Sequence, residues 1–166
     1  MKILKINNYL FMTMKKKIIP LVFDNYIAAI KNSAGSKLFR NFYARVGNKK
    51  IDIMNNGELS CAFYVSSILF LFGFIKSIHS TVDFVINDLR QSGWKIIKKL
   101  KPGSIIIWEK TDFKNSDAHK HIGFYVGEDK AISNDYKYGY PLKHNWTFGN
   151  KRKIEAIFWN DEFLGK

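Results

Sequence analysis

The sequence predicts an α+β domain: helices come first, then an antiparallel sheet of about five strands on which they pack. A change of period predicts it. Up to Gly93 the apolar residues recur at helical spacing, whereas after Lys101-Pro102-Gly103 they fall in short β-branched runs bounded by turn residues. Size agrees, since 166 residues with a hydrophobic fraction of 46% and an aromatic fraction of 16% can bury one core without cross-links.

Taken in order, residues 1–35 read as an N-terminal extension outside the catalytic core, with helical character from Asp24 to Ile30 and a loop at Asn32 to Ser36. The domain proper is expected over residues 36–166. Lys37 to Val46 spaces Leu38, Phe39, Phe42, Tyr43 and Val46 as a short amphipathic helix would, and Gly47-Asn48 turns the chain. Asn55-Asn56-Gly57 is a further turn. A helix is predicted from Ser60, as N-cap, to about Phe72, with Gly73 at its stop. A second runs from Thr81 or Val82 to Gln91, with Val82, Val85, Ile86 and Leu89 on one face, Ser80 or Thr81 as cap and Gly93 just past the end. Strands follow at SIIIWE, HIGFYVG, KAISND and KIEAIFW, the middle two joined as a hairpin through Glu128-Asp129. Asp135 to Phe148 reads as a long loop forming one wall of a site.

The chain carries 27 basic against 14 acidic residues, a net charge of +13. Such a surface favours anionic partners, but the lysines are scattered and the accompanying Asn, Ile and Phe match an AT-rich coding bias, so no nucleic-acid role is assigned. No segment reaches the ~18–20 apolar residues of a membrane span. Lys15-Lys16-Lys17 followed by IIPLVF imitates a secretory signal, yet the apolar stretch breaks at Asp24-Asn25, so no leader is assigned and the compartment is left open. The expected form is a monomer.

A single cysteine excludes an internal disulfide framework and a multi-cysteine zinc site. Cys61 stands at the front of the first core helix, where the dipole and free N–H groups favour a thiolate and a neighbouring histidine lowers the thiol from ~8.5. About sixty residues later, HKHIGFYVG supplies His121 at the start of a strand and His119 in the polar stretch before it. His121 is the preferred base, because the small Gly123 on its face leaves room for a helix terminus or substrate. The returning strand offers the group that orients the imidazole. A symmetrical hairpin closing Gly127 on Lys130 puts Asn134 opposite Gly123; a one-residue change of register presents Ser133 instead. His79 and His144 lack metal-ligand spacing and are read as surface or cleft residues, and neither metal nor cofactor is expected. Ser60, His79, His119 and Trp146 are assigned to the substrate side of the cleft.

Four segments together resemble the NlpC-type cysteine peptidases, the papain-like cell-wall hydrolases. LSCAFYVSSILFLFGF is similar to that family's D-C-S-G helix motif, SIHSTVDFVINDLRQSGW stands where its P-R-T segment and next helix lie, LKPGSIIIWE resembles its L-x-P-G-D strand, and HIGFYVGEDKAISN its H-V-G-I-Y-x-G segment. The similarity spans about residues 55–160. It implies a papain-like fold, Cys61 as nucleophile, His121 as base, Ser133 at the third catalytic position, and cleavage of a peptide or amide bond through a thioester, typically in a peptidoglycan stem peptide. Ser60, Ala62-Phe63, His79 and Ser104 depart from the family's Asp, Ser-Gly, Arg and Asp. Other readings are an acyltransferase using the same pair, or a non-catalytic papain-like module that binds anionic polymers through its basic surface.

Overall fold

The computed structural model describes residues 18–113 and 116–162. In chain order these form α1 (Val22–Asn32), β1 (Tyr43–Val46), β2 (Lys49–Asp52), α2 (Cys61–Leu71), α3 (Val82–Gln91), β3 (Lys95–Ile96), β4 (Ile105–Phe113), β5 (Ser116–Gly127), β6 (Lys130–Asp135), β7 (Tyr140–Asn145) and β8 (Ile154–Trp159). The fold is α+β, with a six-stranded sheet in the order β3-β8-β4-β5-β6-β7 and a separate β1-β2 hairpin. Every pairing between neighbouring strands is antiparallel. The six strands, against about five expected, are the four named from the sequence together with β3 and β7. The first has only two residues. The second carries Pro141, which an edge strand tolerates because one of its sides needs no ladder donor.

The sheet separates two kinds of packing. Ile105, Ile107, Ile122, Phe124 and Ile132 face the helices and join Val65, Leu69, Val85 and Leu89 in the main core. Ile106, Trp108 and Ala131 project from the other face, where Leu100, Tyr125, Trp146, Phe148 and Ile154 cover them. α2 is apolar nearly all round because it lies between the sheet and its helical neighbours. In α3, Thr81 accepts from the Phe84 N–H as the predicted cap.

α1 lies within the span read as an extension, and its inner face is in the core. Tyr26 and Ile30 are fully buried, the Tyr26 hydroxyl donates to the Gly103 carbonyl at 2.9 Å, and Ser33 bonds Tyr64 at 2.7 Å. Burying two such side chains contributes roughly 1.5–3 kcal/mol each. Residues 1–17 lie outside the described residues.

The amphipathic helix expected over Lys37 to Val46 is instead the start of the β1-β2 hairpin, closed by Gly47 at φ +59°. Asp52 decides the difference: its carboxylate accepts from the Asn41 amide and from the N–H groups of Phe42, Met54 and Asn56. Burial pulls this carboxyl upward, but those four donors outweigh it and hold it at about 2. The clamp sets the turn that leads into α2.

Candidate active site

Cys61 is the first residue of α2, and Ser60 occupies the N-cap position. Contrary to expectation, Ser60 makes no side-chain cap. Its hydroxyl is fully buried and donates to the Gly57 carbonyl at 3.0 Å, so it lines no cleft. The first-turn N–H groups of α2 are therefore left without a side-chain acceptor. Gly57 itself has φ +93°, and a Cβ there would stand 2.3 Å from the Gly139 carbonyl oxygen, so only glycine lets the turn close on the β6-β7 connection.

The sheet makes room for the helix terminus. Tyr125 N–H donates to Ser104 on the β4 side, and antiparallel alternation then turns the Ile122 N–H toward β6. The β5-β6 pairing, however, ends at Gly123 opposite Ser133. On that side the Ile122 N–H favours the thiolate of Cys61. This places the thiol beside the backbone of the residue that follows His121.

His121 faces away from the helices, opposite Trp108 on β4, with the two rings 5.4 Å apart. Its Nε2 lies 2.8 Å from Ser133 Oγ; the same oxygen lies 2.7 Å from His144 Nε2; and His144 Nδ1 lies 2.8 Å from the Asn145 carbonyl oxygen. Ser133 thus bridges two imidazoles. Gly123 permits this, since a Cβ on it would fall 2.7 Å from Ser133 Cβ and 3.0 Å from the Trp108 ring. The room expected there for a helix terminus or substrate is occupied by those two side chains.

Asn134 is turned the other way. Its amide donates to the Gly57 carbonyl at 2.7 Å, tying β6 to the turn before Cys61. A register shift between Tyr125 and Gly127 causes the exchange: the hairpin is not symmetrical, so Ser133 and not Asn134 stands opposite Gly123. His79 is likewise removed from the cleft. Its Nε2 bonds Asp88 at 2.7 Å, and its backbone exchanges hydrogen bonds with the Ser66 hydroxyl. His119 is exposed on β5, opposite Thr111, not in a loop. Trp146 accepts from Trp108 Nε1 through its carbonyl and packs beneath the sheet.

Two further residues complete the surroundings: Phe148, the end of the segment read as one wall of a site, and Arg152, which gave no signal in the sequence. Phe148, at φ +54°, stacks on His144 with centroids 4.0 Å apart and planes 20° from parallel. Arg152 donates to the Thr111 hydroxyl at 3.0 Å, reaches the His119 carbonyl at 3.4 Å and sits over the Phe148 ring. Its charge is felt at Cys61, His121 and His144 alike.

Burial dominates the electrostatics. It pushes the Cys61 thiol up, against the Ile122 and Ala62 N–H groups, the Arg152 charge and the cysteine's own N–H, all of which favour the thiolate. It drives His121 well below the usual histidine value, with Arg152 and His144 adding to the fall. His144 is lowered more gently: burial and Arg152 depress it, while the Asn145 carbonyl and Asp135 oppose them. Burial thus favours the neutral thiol of Cys61 and the neutral imidazole of His121, which corrects the expectation of a thiol lowered by the helix dipole.

Among the described residues, no group of three or more His, Cys, Asp or Glu is placed to hold a metal ion, and no helix is long and apolar enough to cross a membrane. The chain matches no protein-family model and no curated protein.

Proposed function

We propose that the chain is a cysteine hydrolase that cleaves a peptide or amide bond through a thioester acyl-enzyme. One observation carries the reading: Cys61, at the head of α2, has its thiolate favoured by the Ile122 N–H in the middle of β5, next in sequence to His121, which Ser133 holds. In the papain-like scheme suggested by the sequence resemblance, the thiol gives its proton to His121 as its sulfur attacks the scissile carbonyl. The Cys61 and Ala62 N–H groups favour negative charge at this point and are the candidates to receive the oxyanion. His121 returns the proton to the leaving amine, and water then resolves the thioester with His121 again as base. Because both groups start neutral, proton transfer accompanies attack and no ion pair precedes it.

The substrate favoured by the resemblance is a peptidoglycan stem peptide, and the net charge of +13 suits an anionic wall polymer. The test is to incubate the protein with stem-peptide fragments and follow new amino termini. Cys61→Ala should lower the rate at least roughly a thousandfold while melting with the wild type. A folded Cys61→Ala protein that still cleaves would end the proposal. One observation favours a second reading, a non-catalytic module that binds anionic polymers: burial raises the Cys61 thiol as it does for an inert one. That reading requires Cys61 to alkylate no faster than a free thiol, with or without His121.

A further inference from the structure

We propose that His144 is a positioning residue that, through Ser133, keeps the proton of His121 on Nε2 and leaves Nδ1 as the basic atom. The inference rests on the reading of His121 as general base, and it follows from the direction in which each hydrogen bond can run. The chain ends on the Asn145 carbonyl, which only accepts, so His144 Nδ1 carries a proton. A neutral His144 then has a lone pair on Nε2, and the Ser133 hydroxyl 2.7 Å away must donate to it. The Ser133 oxygen is left as acceptor for His121, 2.8 Å away, so His121 bears its proton on Nε2. The opposite order would set two lone pairs against each other at hydrogen-bond distance.

The surroundings keep this chain neutral. Ser133 and Asp135 face His144 from β6, His121 from β5, Trp108 from β4, and Phe148 and Arg152 from the segment between β7 and β8. Among the described residues no carboxylate hydrogen-bonds to His121, Ser133 or His144. Phe148, stacked on His144, fixes its ring plane. Acid reverses the order. A proton added to Nδ1 of His121 can be passed along: the Nε2 proton moves to Ser133 Oγ as the hydroxyl proton moves to His144 Nε2. His144 then donates from both nitrogens, Ser133 donates to His121, and the base is blocked by a proton on Nδ1. Because the Asn145 carbonyl and Asp135 favour a charged ring at His144, and among the described residues no such group faces His121, the added charge resides on His144.

The test is nitrogen-15 spectroscopy of the histidine rings in the full chain, with alkylation of Cys61 by a neutral reagent alongside. In the wild type near neutral pH, His121 should be protonated on Nε2 and His144 on Nδ1. His144→Phe keeps the stack but removes the acceptor, and should convert His121 to a mixture of tautomers and slow alkylation roughly three- to tenfold. Ser133→Ala should do the same. His144→Gln can still accept from Ser133 and should restore the tautomer, but not the transfer of the His121 proton on acidification. Finding His121 protonated on Nδ1 in the wild type, or a tautomer unmoved by His144→Phe and Ser133→Ala, overturns the proposal. That result leaves the cysteine hydrolase standing, whereas an active Cys61→Ala protein removes the enzyme and leaves the hydrogen-bond order intact.

Discussion

His79 and His121 belong to two separate hydrogen-bonded chains, and the chains end in opposite ways. His79 bonds directly to Asp88, whose carboxylate also accepts from Lys76 and Ser77 N–H groups and from the Ser92 hydroxyl. His121 bonds to a hydroxyl, then to a second imidazole, then to a carbonyl. Asp88 ties His79 and the backbone of Lys76 and Ser77 to α3, so the pair serves as a clasp between the α2-α3 connection and α3. The His121 chain ends on a neutral carbonyl, and burial, with Arg152 and His144, keeps that imidazole uncharged. One sequence thus gives two histidines different surroundings through the partner supplied, and in the proposed function only His121 does chemistry.

The largest effect should separate them most sharply. His121→Ala should cut turnover on stem peptides about a thousandfold, the worth of a positioned general base, whereas His79→Ala should leave turnover within roughly threefold and instead cost about 1–2 kcal/mol in urea unfolding. Reversal of the two rankings would mean that the clasp and the base have been confused.

The next effect sharpens the structural arm. Asp88 is 5% exposed and bonds two backbone N–H groups that no other acceptor would satisfy after its loss, so Asp88→Ala should destabilise by roughly 2–4 kcal/mol. Burial pulls its carboxyl up, but His79 and the other donors outweigh that and bring it below 3.8. A carboxyl lowered in the native state adds stability that is complete above its unfolded value and is lost as pH falls through its native value. Unfolding free energy should therefore decline below about pH 4 in the wild type, and Asp88→Ala should flatten that decline. An unchanged acid slope in the variant would show that other carboxylates govern it.

How much of this could be read from the chain follows from range. The place of Cys61 was legible because a helix start is a local pattern, and the two main helices and four of the sheet's strands share that property, whereas His121, read as a strand start, lies in the middle of β5 because the strand begins earlier, at Ser116. Ser133 was not separable from Asn134, because the choice depends on a register shift between Tyr125 and Gly127 that a symmetrical hairpin lacks. His144 was hidden for a different reason: Pro141 and the polar residues of β7 read as loop, and only the pairing of Ala131 with His144 brings that ring to the face of Ser133. The expected helix at Lys37 to Val46 failed because Asp52, outside the window, captures the donors of Phe42 and Asn41. Nothing around Arg152 marks it, since its neighbours Thr111 and His119 come from two other strands.

Arg152 gives the smallest effect and tests whether the neutral chain is tuned from outside. Its charge favours the Cys61 thiolate and disfavours protonated His121 and His144. Removing it should therefore raise all three groups: the thiol ionises later, and the imidazoles hold protons to higher pH. Both limbs of the rate–pH curve should move upward in Arg152→Gln, with alkylation of Cys61 near neutral pH slowed by about threefold, because a half-buried charge is only partly screened. Arg152→Lys keeps the charge but not the guanidinium geometry that meets Thr111 and His119, so it should return the limbs toward the wild type while losing some of the fold's rigidity there. Movement of one limb without the other would mean that Arg152 acts on the thiol or on the imidazoles alone, and the single electrostatic neighbourhood inferred for Cys61 and His121 would have to be divided.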